Sequence, residues 1–139
     1  MDDLGIGRLA ELTGVKVRTI RFYEQIGLLP EPMRTRGRQR RYDGQTVHRV
    51  VFIRHARDLG FDVDEVRSLL SLADTPNASC KAVDALARQQ VERIDAKIQR
   101  LRAMRRELMA VITACRGPRV KDCRILEALS QPALRRKAS

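Results

Sequence analysis

Three cysteines are the residues of this sequence best suited to bind a metal ion. Cys80 precedes a long segment with helical periodicity, Cys115 ends that segment, and Cys123 follows after seven intervening residues. A thiolate is a soft ligand, typical of sites for Hg²⁺, Pb²⁺, Cd²⁺, Zn²⁺ and Cu⁺. An odd number of cysteines argues against a disulfide framework, so we expect reduced thiols that are available as ligands.

The segment between Cys80 and Cys115 predicts one long amphipathic helix. Apolar residues recur at steps of three and four positions, and the remaining positions are crowded with charge, which is typical of a helix that packs along another helix. The apolar stripe comprises Ala87, Val91, Ile94, Ile98, Leu101, Met104, Leu108, Val111 and Cys115. A helical bundle within one chain is the alternative. Because the rest of the chain offers only short helices, a second copy of the same helix is the predicted partner.

This helix also determines which cysteines can meet. At ~1.5 Å per residue, the about 34 residues between Cys80 and Cys115 separate the two thiols by roughly 50 Å, which no single ion spans. In an antiparallel homodimer, Cys80 would instead approach Cys115 and Cys123 of the second copy. The spacing therefore predicts two symmetric three-thiol clusters. Three buried small residues, or a purely structural metal, are the alternative interpretations.

Composition narrows the class of protein. The 139 residues suit one compact domain, or a small domain with a helical extension. Few aromatic residues and 32% charged residues favour short helices over a β-sandwich or barrel. Because the sequence has no membrane-spanning apolar run and no signal-peptide pattern, we expect a cytoplasmic protein. The net charge of +11 indicates a polyanionic partner, most simply DNA or RNA, although a membrane surface would also attract it.

Two short helices joined by a glycine turn are predicted near the start of the chain. Residues 6–12 have an apolar helical face, and Thr13-Gly14 supplies a stop suited to a left-handed cap. A second helix is expected from Val17 to about Gln25, with arginines on one side. This pattern is typical of a DNA-binding helix-turn-helix, but other small helical hairpins share it.

An arginine-rich segment follows this pair. Prolines exclude a helix over residues 27–32, and five arginines with no acidic residue occupy the eight positions before Tyr42. These charges repel one another unless they are solvated or face phosphates. With Gly37 at its tip, the segment is predicted to form a hairpin wing that grips the DNA backbone. A basic loop is the alternative.

Two further short helices are expected before the long one. Asp43 is placed to cap a helix that runs to about Asp58, and Asp62 with Glu65 forms a capping-box pattern for the next helix. After Cys123, the apolar residues of the segment 125–129 indicate one more short helix.

Four segments together carry a family resemblance: residues 19–24 (TIRFYE), 27–29 (GLL), 41–42 (RY) and 52–61 (FIRHARDLGF). They resemble the MerR family of bacterial transcription regulators, and the resemblance covers nearly the whole chain. It implies a mainly α fold with a winged helix-turn-helix domain and connector helices over residues 1–75. An antiparallel coiled-coil dimerisation helix over 76–115 and a metal-binding loop with a short helix over 116–130 would follow. The composition of the last residues separately predicts a disordered basic tail over 131–139.

The resemblance also implies a function. Members bind a promoter whose spacer is too long and, on binding an effector, bend and untwist it so that RNA polymerase can use both promoter elements. The residues expected to face the operator are Lys16, Arg18, Thr19, Arg21 and Tyr23, and those expected to grip phosphates are Arg38, Arg40, Arg41 and Tyr42. Lys16 departs from the family pattern, since many members carry Ser or Thr at this position.

The cysteine pattern resembles the metal-sensing branch of the family. Cys80 matches a position that is cysteine in members sensing divalent ions and serine in those sensing monovalent ions. Three thiolates leave one net negative charge with a divalent ion but two with a monovalent ion, which is costlier in a poorly solvated site. We therefore expect Cd²⁺, Pb²⁺, Hg²⁺ or Zn²⁺, with Asp122 or water as an optional fourth ligand. The length of the loop resembles that of copper-sensing members, so Cu⁺ is the alternative.

Other functions explain less of the sequence. No glycine-rich phosphate loop, His–carboxylate pair or activated nucleophile is apparent, so we do not expect an enzyme. A non-specific architectural DNA-binding protein would account for the charge but not for the cysteines. A thiol redox sensor that uses the same cysteines is a further alternative.

Overall fold

The computed structural model describes residues 4–34, 40–114 and 117–132, and this part of the chain is mainly helical. Its elements are α1 (Ile6–Thr13), α2 (Val17–Gln25), β1 (Met33–Arg34), β2 (Arg40–Arg41), α3 (Gly44–Asp58), α4 (Val63–Ala73), α5 (Lys81–Thr113), a 3₁₀ turn (Val120–Asp122) and α6 (Arg124–Ser130). The predicted mainly α fold is confirmed. Among the described residues, no helix is both long and apolar enough to cross a membrane.

The turn between α1 and α2 forms as its sequence predicted. Gly14 adopts a φ of 72°, and its N–H donates to the Ala10 carbonyl at 2.9 Å, which ends α1 with a left-handed residue. The Thr13 hydroxyl donates to the Leu9 carbonyl at 2.8 Å and accepts from the Val15 N–H at 3.3 Å. These bonds satisfy backbone groups that the end of a helix leaves without partners.

Both predicted aspartate caps are present. Asp43 Oδ1 accepts from the Thr46 N–H at 2.9 Å at the start of α3. At the start of α4, the Glu65 N–H donates to Asp62 Oδ1 at 2.8 Å, and the Asp62 N–H donates to Glu65 Oε1 at 2.9 Å. Reciprocal bonds of this kind make a capping box, which favours helix initiation at a defined residue.

The base of the predicted wing is an antiparallel pair of two-residue strands. Met33 pairs with Arg41, and Arg34 pairs with Arg40. Leu4 extends the pairing through backbone hydrogen bonds of 2.7 and 2.8 Å with Tyr42, so the start of the described chain is tied to the wing. The predicted tip at Gly37 lies outside the described residues.

The chain forms two compact units, Met1–Leu86 and Ala87–Ser139. In the first unit, α1 to α4 enclose a core whose fully buried side chains are Leu9, Ile20, Leu28, Val50, Ile53 and Val66. Burial of each such side chain contributes about 1.5–3 kcal/mol, so this core holds the helix-turn-helix against α3 and α4. The second unit comprises most of α5, the 3₁₀ turn and α6. The predicted domain boundaries after residues 75 and 115 stay predictions, as does the tail, most of which lies outside the described residues.

We expect Asp43→Ala to lower the free energy of unfolding by about 1 kcal/mol, because α3 loses its cap, whereas Asp43→Asn retains an acceptor and most of the stability. Hydrogen bonds from the Thr46 N–H and hydroxyl lower the pKa of Asp43. The charged cap therefore contributes fully above the ordinary aspartate pKa, and its contribution is lost as the pH falls through the lowered value. Urea denaturation at several pH values measures both effects, and equal stabilities of wild type and Asp43→Ala at neutral pH would contradict the assignment.

Candidate nucleic-acid interface and metal centre

Helix α2 presents cations on its outer face. Lys16, Arg18 and Arg21 are exposed, whereas Thr19 is half-buried and Ile20 is fully buried. The periodicity of the helix directs Ile20 and Tyr23 into the core and leaves the cationic side chains in solvent, where a phosphate backbone can reach them. This arrangement suits the predicted operator contacts of α2.

Tyr23 occupies a different environment from these cations. It is 8% exposed, and burial raises the pKa of its phenol, with a smaller opposing effect from Arg57. The neighbouring Phe22 is 47% exposed, and the two ring centroids are 6.2 Å apart. Phe22 therefore offers more aromatic surface on the outside of α2 than Tyr23 does, and the predicted operator contact of Tyr23 remains a prediction.

Tyr42 links the wing to α2. Its side chain is 2% exposed, and its hydroxyl donates to Glu24 Oε2 at 2.7 Å. A charge-assisted bond of this length is a strong one, and it fixes the base of the wing relative to the helix. The sequence did not predict this contact, because 18 residues separate its partners. The phosphate contact predicted for Tyr42 stays a prediction.

The wing arginines are described in part. Arg41 is half-buried at the base of the hairpin, and the backbone of Arg40 pairs with that of Arg34. Arg38 lies outside the described residues. The short sheet therefore places Arg40 and Arg41 at the base of the predicted wing.

Arg54 is a further functional candidate that sequence reasoning missed. From α3, its Nη1 donates to the Thr13 carbonyl at 2.7 Å. A Cβ on Gly14 would collide with this guanidinium, so the glycine is required both for its positive φ and for the close approach of Arg54. In an arginine-rich chain, the sequence alone would suggest that Arg54 contacts DNA. In the structure its guanidinium instead binds the turn of the helix-turn-helix.

Two of the three predicted thiol ligands are described, one in each unit. Cys80 is exposed, and its carbonyl accepts from the Asp84 N–H at 2.9 Å at the start of α5. Cys123 is half-buried between the 3₁₀ turn and α6, where its N–H donates to the Val120 carbonyl at 3.0 Å. Cys115 lies outside the described residues.

A carboxylate immediately precedes Cys123 in the loop. Gly117 has a φ of 123°, and a Cβ at this position would lie 3.1 Å from Asp122 Oδ2, so the loop packs closely against this carboxylate. Asp122 is the residue that could add an oxygen to the predicted thiolate set. Among the described residues, no three His, Cys, Asp or Glu side chains are grouped so as to hold a metal. The predicted cluster needs Cys115 and a second protomer.

Comparisons with known proteins agree on one family. A family model described as MerR HTH family regulatory protein matches residues 4–73, and one described as MerR, DNA binding matches residues 47–111. The mercuric resistance operon regulatory protein of Bacillus cereus is 40% identical over 127 residues, which cover 89% of this chain and 95% of that protein. Heavy metal-dependent transcription regulator 2 of Rhizobium meliloti (strain 1021) is 35% identical over 127 residues, with coverages of 91% and 86%.

A solved structure is similar over almost the same length. It is the transcription regulator PbrR691 from Ralstonia metallidurans CH34 in complex with lead(II), which is 39% identical to this chain. The match has a TM-score of 0.78 and covers 91% of this chain and 99% of PbrR691. The likeness therefore extends over most of the chain.

We expect Arg41→Ala to weaken binding to operator and unrelated duplex DNA about equally, because a phosphate contact carries no sequence information. Loss of one contact lowers the steepness of log K against log salt by about 0.9. Fluorescence anisotropy at several salt concentrations measures both quantities. Arg102→Ala, which removes an exposed arginine from α5, is the control with an unchanged slope. An unchanged slope in Arg41→Ala would exclude this residue from the DNA interface.

Proposed function

Because the chain belongs to the MerR family of DNA-binding transcription regulators, which are not enzymes, we propose that it activates transcription in response to a thiophilic metal ion. In this proposal it binds promoter DNA as a homodimer in the cytoplasm, and each metal ion is held by Cys80 of one protomer with Cys115 and Cys123 of the other. The observation that carries the proposal is the long helix α5 with its exposed apolar stripe, which the sequence flanks with Cys80 on one side and with Cys115 and Cys123 on the other.

The exposed stripe on α5 supports the homodimer. Six successive apolar side chains of the stripe are between 38% and 60% exposed in the protomer: Val91, Ile94, Ile98, Leu101, Met104 and Leu108. A contiguous apolar surface of this kind marks an interaction site, and its spacing fits the seam of a second helix. An antiparallel pairing is favoured because it brings the cysteines of two protomers together, whereas a parallel pairing keeps Cys80 far from Cys115 and Cys123.

The number of thiols favours a divalent ion. Three thiolates around M²⁺ retain one net negative charge, whereas around M⁺ they retain two, and unpaired charge is costly where water is excluded. Relatives named for mercuric resistance and for heavy metals, and the lead(II) complex of PbrR691, support soft metals as effectors. Hg²⁺, Pb²⁺, Cd²⁺ and Zn²⁺ are the proposed candidates.

Cu⁺ is the second candidate. The observation that favours it is the seven-residue spacing between Cys115 and Cys123, which resembles that of copper-sensing members. Two thiolates around a monovalent ion also leave one net negative charge. In this alternative the loop pair binds the ion without Cys80.

In the proposed mechanism, the first unit binds DNA and the dimer responds to the metal. The cations of α2 and the wing hold the promoter, and the metal-loaded dimer bends and untwists it so that RNA polymerase can use both promoter elements. Distortion of this size costs several kcal/mol, about the scale that a set of phosphate contacts can supply. Genes for metal efflux or detoxification are the proposed targets.

Metal titration tests the shared site. We expect the reduced, metal-free protein to bind one divalent ion per protomer. Thiolate-to-metal absorption and competition with chelators measure this binding. Cys80→Ser should lose this affinity, and so should the double variant Cys115→Ser/Cys123→Ser. The control Asn77→Ser, at an exposed position of the same loop as Cys80, should bind as wild type. In a promoter assay, Cys115→Ser or Cys123→Ser should abolish metal-induced transcription while operator binding persists.

Mixed dimers make this test specific. A dimer of one Cys80→Ser protomer and one Cys115→Ser/Cys123→Ser protomer contains one complete shared cluster, so it should recover one tight site per dimer. A three-thiol site confined to one chain would recover none. Tight binding of Cu⁺ that does not depend on Cys80 would contradict the divalent site, and no tight binding of any tested ion would contradict metal sensing.

A substitution that introduces a charge into the apolar stripe of α5 tests the dimer. We expect Ile98→Glu to convert the dimer to a monomer at micromolar concentration, because a carboxylate would be buried without a partner in the middle of the seam. Gln99→Glu adds the same charge at the adjacent exposed position and should leave the dimer intact. Sedimentation equilibrium measures the two states. A dimeric Ile98→Glu protein would exclude this stripe as the dimer interface.

A further inference from the structure

The exit of helix α2 is held by two arginines that come from other helices. The chain leaves α2 at Ile26, and Arg67 of α4 donates from Nη2 to the Ile26 carbonyl at 2.8 Å. Two residues later, Arg49 of α3 donates from Nε to the Leu28 carbonyl at 3.0 Å. Carbonyls at the end of a helix lack partners within the helix, so the Arg67 bond satisfies one at the Ile26 cap. Together the two bonds tie the exit of α2 to α3 and α4.

Arg49 has a second contact that Arg67 does not share. Its Nη1 lies 3.2 Å from Asp74 Oδ2 and 3.4 Å from Asp74 Oδ1. Asp74 caps the C-terminus of α4, where its own N–H donates to the Leu70 carbonyl at 3.0 Å. One guanidinium therefore joins the exit of α2 to the end of α4.

A groove lies beside this bridge, between the exit of α2 and the end of α4. The groove has a volume of about 700 Å³ and is lined by both ends of the bridge, Leu28 and Asp74, and by apolar side chains that include Phe52 and Leu70. Leu28 and Leu70 also belong to the buried core, and on the side of this groove the Arg49 side chain adds a polar link between the exit of α2 and the end of α4. The Arg49 guanidinium crosses this space with three hydrogen-bond contacts.

We propose that Arg49 and Asp74 are positioning residues for DNA recognition, which set the orientation of α2 without touching DNA. Asp74 is the residue at which the chain leaves α4 toward Cys80. Turns stabilise the segment between them, because the Thr75 N–H donates to the Leu72 carbonyl and the Ala78 N–H donates to the Thr75 carbonyl. A displacement of this segment is therefore transmitted through Asp74 and Arg49 to the Leu28 carbonyl. Correct orientation of α2 matters for base contacts, which are directional, far more than for phosphate attraction.

The experiment measures specificity in the metal-free protein, so its outcome does not depend on the proposed effector. Wild-type full-length protein first selects a duplex from a randomised DNA library. The ratio of affinities for this selected duplex and for a scrambled duplex of the same composition is then measured for Arg49→Gln, Asp74→Ala and the double variant. Arg8→Gln removes the same charge from an exposed ion pair within α1 and is the matched control.

We expect Arg49→Gln and Asp74→Ala each to lower this ratio by about tenfold, which is the scale of a lost base contact. The salt dependence of binding to scrambled DNA should be nearly the same for Asp74→Ala as for the wild type. The double variant should be no worse than Arg49→Gln alone, because both changes break one bridge. The Asp74 side chain is 61% exposed, and a pair this exposed adds little to stability, so Asp74→Ala tests position rather than folding. An unchanged ratio in Asp74→Ala, additive effects in the double variant, or an equal loss in Arg8→Gln would each overturn the proposal.

Discussion

Helix α5 acts as a stiff spacer, because at ~1.5 Å per residue its 33 residues hold its first and last residues roughly 50 Å apart. Cys80 immediately precedes this helix, and Cys123 follows its other end by ten residues. In the proposed dimer, an antiparallel second copy would bring its own thiols to each end of α5. The same helix carries the exposed apolar stripe that would hold that copy. Dimerisation and metal binding thus become one structural requirement in the proposed function.

The positive charge of the chain serves two different purposes. Lys16, Arg18 and Arg21 are exposed on the outer face of α2, where they are available to phosphates. Other arginines of the same unit instead donate to backbone carbonyls of the helix-turn-helix or of the loop that follows α3: Arg49, Arg54, Arg57 and Arg67. A guanidinium suits the second purpose because its several fixed donors can satisfy one carbonyl and still reach another group. The net charge of +11 alone does not distinguish these roles.

The two tyrosines illustrate how the core supports the surface that is predicted to face DNA. Tyr23 and Tyr42 are both buried, and Tyr42 reaches from the wing to Glu24 on α2. The wing and α2 therefore share a hydrogen bond inside the protein, so a change in the position of one is transmitted to the other. In the proposed function the protein changes the shape of its DNA, and this link would make α2 and the wing move together.

The sequence by itself determined the helices and their ends. Periodicity located α2, α3, α4 and α5, Gly14 marked the end of α1, and Asp43 and Asp62 marked the starts of α3 and α4, because these signals act between residues a few positions apart. Only the tertiary structure decided which arginines face solvent and which hold a carbonyl, and which tyrosines are buried. Those outcomes depend on partners far along the chain, such as Thr13 for Arg54 and Glu24 for Tyr42, and no local pattern encodes the distance between them.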